Sequence, residues 1–239
     1  MDAYYSDLRP QMHDFTSRQL KGVRIVKTLG DLLGDKNLGK LKVLDVGSST
    51  GIIDSVLAKK FKEVWGLDID RSGISFAKKN FKSKNLHFEI GSALNLKFSR
   101  DKFDVVICTH VYEHVSDPQK LFNEIYRVLK PGGVCYFAAI NALWPIEPHY
   151  NLPFLSWLPK KLGNLYVKAL GKTDKYYENP MFYRQLKNLV KKFKIVDYTG
   201  KILTHPKKFG YQNPSIPGFA ANYLKYLTPT FFWILIKNE

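Results

Sequence analysis

Residues able to do chemistry first occur in a short turn after an apolar run. Residues 43–51 bring a carboxylate, Asp45, into a small-residue turn that runs from Gly47 to Gly51. Glycine lets the backbone bend sharply and approach a ligand closely, because it has no Cβ. A second carboxylate, Asp68, ends the next apolar run, where an acid in a doubly wound sheet binds the two hydroxyls of a ribose. The pair predicts a nucleotide cofactor.

The details of this turn separate two kinds of cofactor. A dinucleotide site needs three glycines in G-x-G-x-x-G, because its pyrophosphate packs against helix amides. Here the third glycine is missing, and Asp45 would repel a pyrophosphate and attract a cation. S-adenosylmethionine has no phosphate and carries an ammonium and a sulfonium group. We therefore expect S-adenosylmethionine.

Two histidines are candidates for a general base, since histidine titrates near neutral pH. His149 follows the fifth predicted strand, at the edge of the sheet where ligands bind, and Glu147 is close enough in sequence to orient it. His114 follows the fourth predicted strand. The alternative is that His149 and Glu147 fix the loop and that His114 is structural. We take His149, Glu147 and His114 as the catalytic candidates, and no cysteine or histidine cluster predicts a metal site.

Alternating elements must position these residues. Helical spacing predicts an amphipathic helix over Pro10–Leu33 whose apolar side, packed on the domain, comprises Phe15, Leu20, Val23, Val26, Leu29 and Leu33, with Arg18 among the intervening basic residues. Apolar runs predict strands over 41–46, 63–68, 86–90, 103–108 and 134–140, separated by helices over 51–61, around 74–81 and from Pro118 to the Lys130–Gly133 stop. This alternation predicts a parallel sheet with helices on both faces.

The composition changes after Asn141. Aromatic and proline residues crowd between Trp144 and Lys161 with few strand or helix signals, typical of a lid or binding element, or of a surface excursion packed by its own aromatics. Beyond it the sequence predicts a helix over Met181–Phe193, a strand over Ile195–Leu203, a second aromatic excursion over His205–Leu227 and a last strand over Thr230–Ile236.

Length and charge limit the remaining choices. The 239 residues are 45% hydrophobic, and 37 Lys and Arg against 21 Asp and Glu give a net charge of +16. Such a charge favours an anionic partner or is simply a solvated surface. Cys108 and Cys135 lie in predicted buried strands, which fits a reducing cytosol. The start Met1–Tyr5 is unlike a secretory signal, and the longest apolar stretch, Thr228–Ile236, is shorter than the roughly 20 residues of a membrane span.

Six motifs stand in an order and spacing that resemble class I S-adenosylmethionine-dependent methyltransferases, most closely the small-molecule branch that includes quinone-biosynthesis enzymes. They are Val43–Gly47 with Gly51, Gly66–Asp68, Gly91–Leu94, Phe103–Val106, Glu113–Val115 and Arg127–Gly133. The resemblance to class I methyltransferases covers residues 40–141. It implies a Rossmann-like, doubly wound α/β sheet of seven strands, mostly parallel, whose last strand inserts antiparallel beside the sixth. The excursion near 151–161 is similar to a segment of methyltransferases that are encoded among glycan-assembly enzymes.

The resemblance also implies roles for individual residues. Asp45 would hold the methionine ammonium, Gly47 and Gly51 would let the cofactor pass close to the backbone, and Asp68 would bind the ribose with Ile69 against the adenine. Ser92 stands where the family usually has Asp and would accept the adenine amine more weakly, beside Ala93. Ser49 stands where a third glycine is common and could crowd the methionine tail. Thr109 and His110 would border the transferred methyl group.

The acceptor remains open at the level of sequence. The residues after the fourth strand, Thr109–Tyr112, lack the Asn/Asp-Pro-Pro-aromatic tetrad of nucleic-acid amine methylation, and no loop cysteine offers cytosine chemistry. We expect O-methylation of a small or carrier-linked glycan or isoprenoid acceptor, in a cytoplasmic protein with possible peripheral contact to an anionic membrane. The alternatives are a nucleic-acid methyltransferase or binder, motivated by the charge, and a non-catalytic cofactor-binding protein. We expect one domain over 1–239, with a helical cover to residue 39, a cofactor-binding half to 141 and a substrate-side half beyond.

Overall fold

The computed structural model describes residues 5–238, so the first four residues of the predicted non-secretory start lie outside it. The strands of the described part are, in chain order, β1 Lys42–Val46, β2 Glu63–Asp68, β3 Leu86–Ile90, β4 Phe103–Thr109, β5 Leu129–Ile140, β6 Ile146–Glu147, β7 Leu152–Pro153, β8 Phe193–Asp197 and β9 Thr230–Lys237. The α-helices are α1 Tyr5–Leu8, α2 Phe15–Leu33, α3 Ile52–Leu57, α4 Arg71–Asn80, α5 Pro118–Val128, α6 Lys160–Ala169, α7 Tyr183–Leu189, α8 Thr199–Thr204 and α9 Gly218–Leu224. Short 3-10 turns occupy Pro10–His13, Asp35–Lys40, Leu155–Trp157, Pro206–Phe209 and Lys225–Leu227.

Seven strands form one sheet in the order β3-β2-β1-β4-β5-β9-β8. The first five are joined by parallel pairings, and β9 runs antiparallel to both of its neighbours, β5 and β8. This confirms the predicted α/β fold with a mostly parallel seven-stranded sheet and an antiparallel last strand. The order reverses between β1 and β4, and ligands of doubly wound sheets bind at such a switch point, beyond the carboxyl ends of the strands.

Buried side chains cover both faces of the sheet. Successive residues of a strand point to opposite faces, so Leu44 and Val106 join one hydrophobic cluster while Val43 and Val105 join the other. Cys108 and Cys135 are free and fully buried within the strands, as predicted. The helices that flank the site begin on well-formed caps: Asp117 accepts the N–H of Lys120 at 2.9 Å, and Asp70 accepts that of Gly73 at 2.9 Å.

The predicted buried face of α2 is wrong in the first half of the helix and right in the second, where Val26, Leu29 and Leu33 pack on the core. Phe15, Leu20 and Val23 are exposed, while Leu29 is buried. The helix instead places Arg18, Gly22, Ile25 and Thr28 inward. Gly22 is needed because α3 crosses so closely that a Cβ there would lie 2.9 Å from Cβ of Val56. Arg18 turns inward because buried carboxylates lie beneath it.

Three other predictions are corrected. Strand β5 begins at Leu129 rather than Val134, through an irregular pairing in which Phe103 faces Leu129 and Val105 faces Val134. The strand predicted over Ile195–Leu203 spans Phe193–Asp197 and gives way to α8, because Oδ1 of Asp197 accepts the N–H of Thr199 and the carbonyl of Tyr198 accepts that of Ile202, which starts the helix. The excursion after Asn141 is more regular than predicted.

That excursion forms a small packed unit. Strands β6 and β7 pair as a hairpin, a 3-10 turn follows, and α6 closes over them. Its core holds Tyr150, Leu152, Leu155, Val167 and Tyr176. None of the helices between residues 5 and 238 is both long enough and apolar enough to cross a membrane.

Candidate cofactor and active site

The turn after β1 has the sharp backbone that its glycines predict. Gly47 and Gly51 have φ of +87° and +71°, and a Cβ would lie 2.5 Å from Cγ2 of Val111 at Gly47 and 2.6 Å from the Phe88 ring at Gly51. Ser49 takes the same left-handed conformation, with φ of 51°. Ser49 therefore occupies a position that favours glycine, because such a conformation is strained for a residue with a Cβ.

Asp68 ends β2 beside this turn. One carboxylate oxygen accepts the N–H of Ser49 at 2.8 Å and the other accepts that of Asp70 at 2.9 Å. Burial raises the pKa of Asp68 above its usual value, although these backbone hydrogen bonds oppose the shift. Each oxygen keeps lone pairs for further donors. Ile69 projects beside it with 72% of its surface exposed, an apolar side chain that a flat ring would cover.

Asp45 lies at the carboxyl half of β1 and is almost completely buried. Within the described residues its Oδ1 has no hydrogen-bond partner. Burial, with a smaller contribution from Asp68, raises the pKa of Asp45 to about 7, while the charge of Arg18 acts in the opposite direction. A buried carboxylate with an unpaired oxygen is costly unless a cation completes it. Asp45 therefore has the properties of an ammonium-binding group.

Arg18 is a site residue that sequence reasoning assigned to the wrong side of α2. Its side chain is buried, donates to the sulfur of Met12 at 3.1 Å, and lowers the pKa of both Asp45 and Asp54. Burial and the charge of Asp45 nonetheless keep the pKa of Asp54 well above its usual value. The site thus combines one guanidinium with buried carboxylates. Spacing within α2 carries no signal for Arg18, because its carboxylate neighbours come from β1 and α3.

The segment before α2 also packs over this site. The hydroxyl of Thr50 donates to the carbonyl of Met12 at 2.6 Å, and the N–H of Ser6 donates to Asp70 at 2.7 Å. Arg9 donates to the backbone carbonyl of His149 at 2.8 Å. Residues 6–12 therefore connect the cofactor turn, α4 and the loop after β5. No local sequence pattern predicts these contacts.

The remaining predicted cofactor residues line the carboxyl edge. Ser92 and Ala93 are half-buried after β3, and the Ser92 hydroxyl accepts the N–H of Leu94 at 3.2 Å, which leaves it one further acceptor position. Thr109 ends β4. His110 adopts a left-handed φ of 55° and places Nδ1 3.6 Å from Oε1 of Glu113.

His149 and Glu147 form a tight pair in the loop after β5. Nδ1 of His149 lies 2.8 Å from Oε1 of Glu147, whose Oε2 accepts the backbone N–H groups of His149 and Tyr150 at 2.8 and 2.9 Å. Burial alone would lower the pKa of His149, but the bond to Glu147 and the charges of Glu178 and Glu113 outweigh it and raise the pKa. Because an ionised carboxylate only accepts, Nδ1 carries the proton and Nε2 of the neutral ring is free to act as a base.

His114 stacks edge-on against His149, with ring centroids 4.8 Å apart. Burial lowers the pKa of His114, and the charge of His149 adds to this effect while Glu113 opposes it. Glu113 is fully buried, and neither of its oxygens has a hydrogen-bond partner among the described residues. Burial raises the pKa of Glu113, but the neighbouring His110 and His114 outweigh this effect and lower the pKa below its usual value. Ligand atoms of Glu113, His114 and His149 lie within 4.8 Å of one another, so this cluster could also hold a cation.

The structure therefore gathers the predicted residues into two neighbouring groups. Asp45, Gly47, Ser49, Gly51 and Asp68 form the cofactor group at the ends of β1 and β2, and His114, Glu147 and His149 form the histidine group beyond β4 and β5. The loop over 109–114 joins them, since Val111 packs on Gly47 and His110 pairs with Glu113.

The chain is similar in sequence to known methyltransferases. Residues 44–137 match a family model described as a methyltransferase domain. A ubiquinone biosynthesis O-methyltransferase of Coxiella burnetii (strain RSA 493 / Nine Mile phase I) is 34% identical over 101 residues, covering 41% of this chain and 43% of that protein. The one of Rickettsia akari (strain Hartford) is 31% identical over 166 residues, covering 65% and 64%.

Solved structures show the same fold. A S-adenosylmethionine dependent methyltransferase from Mesorhizobium loti superposes with a TM-score of 0.59 at 14% identity, over 84% of this chain and 93% of that one. The protein MccD gives a TM-score of 0.59 at 16% identity, over 89% and 96%. Residues 44–137 therefore carry the predicted methyltransferase domain, and the fold is that of solved S-adenosylmethionine-dependent methyltransferases. The chain spans only 43 to 64% of the length of these curated relatives.

Proposed function

We propose that the protein transfers a methyl group from S-adenosylmethionine to a hydroxyl of a small or carrier-linked acceptor, with His149 as general base. The observation that carries the proposal is the His149–Glu147 pair. A buried carboxylate fixes the ring through Nδ1 at 2.8 Å and holds the loop through two backbone N–H groups. This arrangement lies after β5, at the edge where the fold binds its ligands.

The residues present fit S-adenosylmethionine. Oδ1 of Asp45 is buried with no hydrogen-bond partner in the described part of the chain, as expected of a group that binds the methionine ammonium. Asp68 keeps free lone pairs for the ribose hydroxyls, and the exposed Ile69 offers an apolar surface to the adenine. Ser92 and Ala93 would border the adenine, and Thr109 and His110 the methyl group. When bound, the cofactor supplies an activated methyl carbon.

The chain's own residues would then prepare the acceptor. Nε2 of His149 would take the proton of the acceptor hydroxyl, and Glu147 would stabilise the imidazolium that forms. Oriented contact between acceptor and methyl group in a site that excludes water supplies much of the remaining acceleration. Because His114 has a lowered pKa, it stays neutral beside His149 and acts as a positioning residue.

Two observations favour a hydroxyl acceptor on a lipid-like or carrier-linked molecule. The curated relatives reported above are named ubiquinone biosynthesis O-methyltransferases, and ubiquinone is an isoprenoid-type molecule. The turn that holds His149 is also followed by Tyr150, whose ring packs against that of Tyr176 with centroids 5.6 Å apart in the core of the excursion. We assign cofactor binding to residues 40–141 and acceptor binding to 142–239, with the segment to residue 39 as a cover.

Methyl-labelled S-adenosylmethionine tests the proposal. The protein is incubated with the label and with either the organic-solvent or the aqueous extract of cells, and the labelled product is separated and hydrolysed to identify the methylated atom. We expect label on oxygen in the organic-solvent extract. Label on nucleic acid in the aqueous extract, or no transfer to either, would contradict the proposal.

Variants assign the roles within the same assay. His149→Ala should bind the cofactor normally and lose at least about a hundredfold in turnover, as general-base removal does. His205→Ala, an exposed histidine at the end of α8, is the matched control and should turn over normally. Treatment with EDTA should leave the wild type active. Activity that EDTA abolishes and a divalent cation restores would mean that Glu113, His114 and His149 act as metal ligands instead of a base.

A further inference from the structure

We propose that the outer side of α6 is a docking surface for an anionic lipid bilayer. This surface, called the α6 stripe below, consists of Leu162, Leu165 and Ala169, with Lys161 and Lys168 along its flank. The lipid contact is independent of the proposed function. The role of the α6 stripe in bringing a membrane-held acceptor to the histidine group rests on that function.

Helix geometry aligns the α6 stripe. Residues at i, i+3 and i+7 lie on one side of an α-helix, so Leu162, Leu165 and Ala169 form a continuous apolar row. Leu162 is 53% exposed and Leu165 65% exposed. A globular helix normally turns its apolar row inward, and this one faces solvent.

Packing leaves α6 no freedom to turn this row inward. Gly163 and Val167 already face the small core of the excursion, where a Cβ on Gly163 would lie 3.3 Å from the Tyr176 ring. Lys160 is drawn to the same inner side, donating to the backbone carbonyls of Tyr176 and Glu178. The helix thus has two apolar sides, one used by the fold and one unused.

Charge selects the partner. No acidic residue occurs between Glu147 and Asp174, whereas Lys160, Lys161, Lys168 and Lys172 fall in this interval. Lys168 lies 4.0 Å from Asp174, but both side chains are largely exposed and the pair is weak. An apolar row flanked by lysines is the pattern of a helix that lies in the interface of an anionic membrane.

Two half-exposed aromatic residues directly precede α6 in the chain. Phe154 and Trp157, about half exposed, pack together with ring centroids 4.8 Å apart just before α6. Aromatic rings of this kind concentrate at membrane interfaces. The hairpin that leads into them carries Glu147 on β6 and His149 in its turn. A bilayer on the α6 stripe would therefore lie beside the elements that hold the proposed base.

Vesicle co-sedimentation tests the proposal. The full chain is mixed with vesicles of phosphatidylcholine alone or of phosphatidylcholine with phosphatidylglycerol, at low and at high salt. We expect binding to the phosphatidylglycerol vesicles that weakens as salt rises. Leu162→Ser/Leu165→Ser should lower the partition coefficient by at least about tenfold, because two leucines that insert partly into the bilayer are lost. Lys161→Glu/Lys168→Glu should weaken binding as well.

Matched controls carry equal changes elsewhere. Leu20→Ser/Val23→Ser removes two exposed apolar residues of α2, and Lys59→Glu/Lys60→Glu makes the same change in net charge at the end of α3. Both should bind vesicles like the wild type. All variants should bind S-adenosylmethionine and melt like the wild type, so a failure of the proposed function is recognised separately.

Three results would overturn the proposal: no binding of the wild type to phosphatidylglycerol vesicles at low salt, equal binding by the α6 stripe variants, or equal losses in the controls. Light scattering that finds a dimer which Leu162→Ser/Leu165→Ser dissociates would also overturn it, because a second copy would then cover the α6 stripe.

Discussion

The affinity for S-adenosylmethionine should depend on pH through Asp45. Burial raises the pKa of this carboxylate to about 7 in the cofactor-free protein, so near neutral pH it is half protonated. The methionine ammonium binds the ionised form. Affinity should therefore rise with pH up to the pKa and level off above it. The charged groups that face Asp45 are Arg18 from α2, Asp54 from α3 and Asp68 from β2.

The magnitude follows from the titration. With a pKa of about 7, roughly one molecule in eleven carries the ionised form at pH 6, and about ten in eleven do so at pH 8. Affinity should fall about tenfold between pH 8 and pH 6, equivalent to about 1.4 kcal/mol. Asp45→Asn should remove this pH dependence and weaken binding at pH 8 by about ten- to a hundredfold, the loss of one hydrogen bond between charged groups.

Calorimetric titrations at several pH values provide the measurement, and binding should release protons at pH 7. Asp45→Asn should also melt at a higher temperature at pH 8, because a carboxyl whose folded pKa is raised destabilises the fold once pH exceeds its unfolded value. A pH dependence that survives in Asp45→Asn and disappears in Asp68→Asn would refute the assignment to Asp45.

Three further predictions address the neighbouring groups. Arg18→Met should raise the pKa of Asp45, which moves the midpoint of the curve of affinity against pH to higher pH and weakens cofactor binding several-fold at pH 7. Calorimetry measures both effects, and an unchanged midpoint would contradict the inward position of Arg18. Glu147→Gln should lower the pKa of His149 and cut kcat about tenfold or more, with the rate–pH profile moving to lower pH; a profile that stays in place would exclude the pair. Gly51→Ala should destabilise by about 2–4 kcal/mol in chemical denaturation, against about 1 kcal/mol for Gly132→Ala, since both have positive φ but a Cβ at Gly132 meets nothing within 4 Å; equal losses would show that contact with Phe88 costs nothing.

Local pattern was sufficient for the cofactor half of the fold. Strands β2 and β3 have the predicted bounds because each is an apolar run that ends in a turn, and α5 starts after Asp117 because the cap and Pro118 are both local signals. The start of β5 at Leu129 could not be predicted from the sequence, because Pro131, Gly132 and Gly133 usually interrupt a strand. Here β5 includes them, and its pairing with β4 is irregular at this point.

Long-range contacts account for what the pattern missed. Arg18 looks like a solvent-facing residue until β1 and α3 bring Asp45 and Asp54 beneath it. Helix α6 has apolar residues on two sides and so gives no clear helical period, which hid it within an aromatic excursion. Arg9 contacts the carbonyl of His149 across 140 positions, and no spacing rule predicts such a pair.

The cofactor site is tested most directly by titrating S-adenosylmethionine into the wild type and into Asp68→Ala at pH 8. A saturating heat signal for the wild type and its loss in a folded Asp68→Ala are predicted, because the ribose hydroxyls lose their acceptor. Absence of binding by the wild type up to high micromolar cofactor, or unchanged binding by Asp68→Ala, would contradict the site built from Asp45 and Asp68.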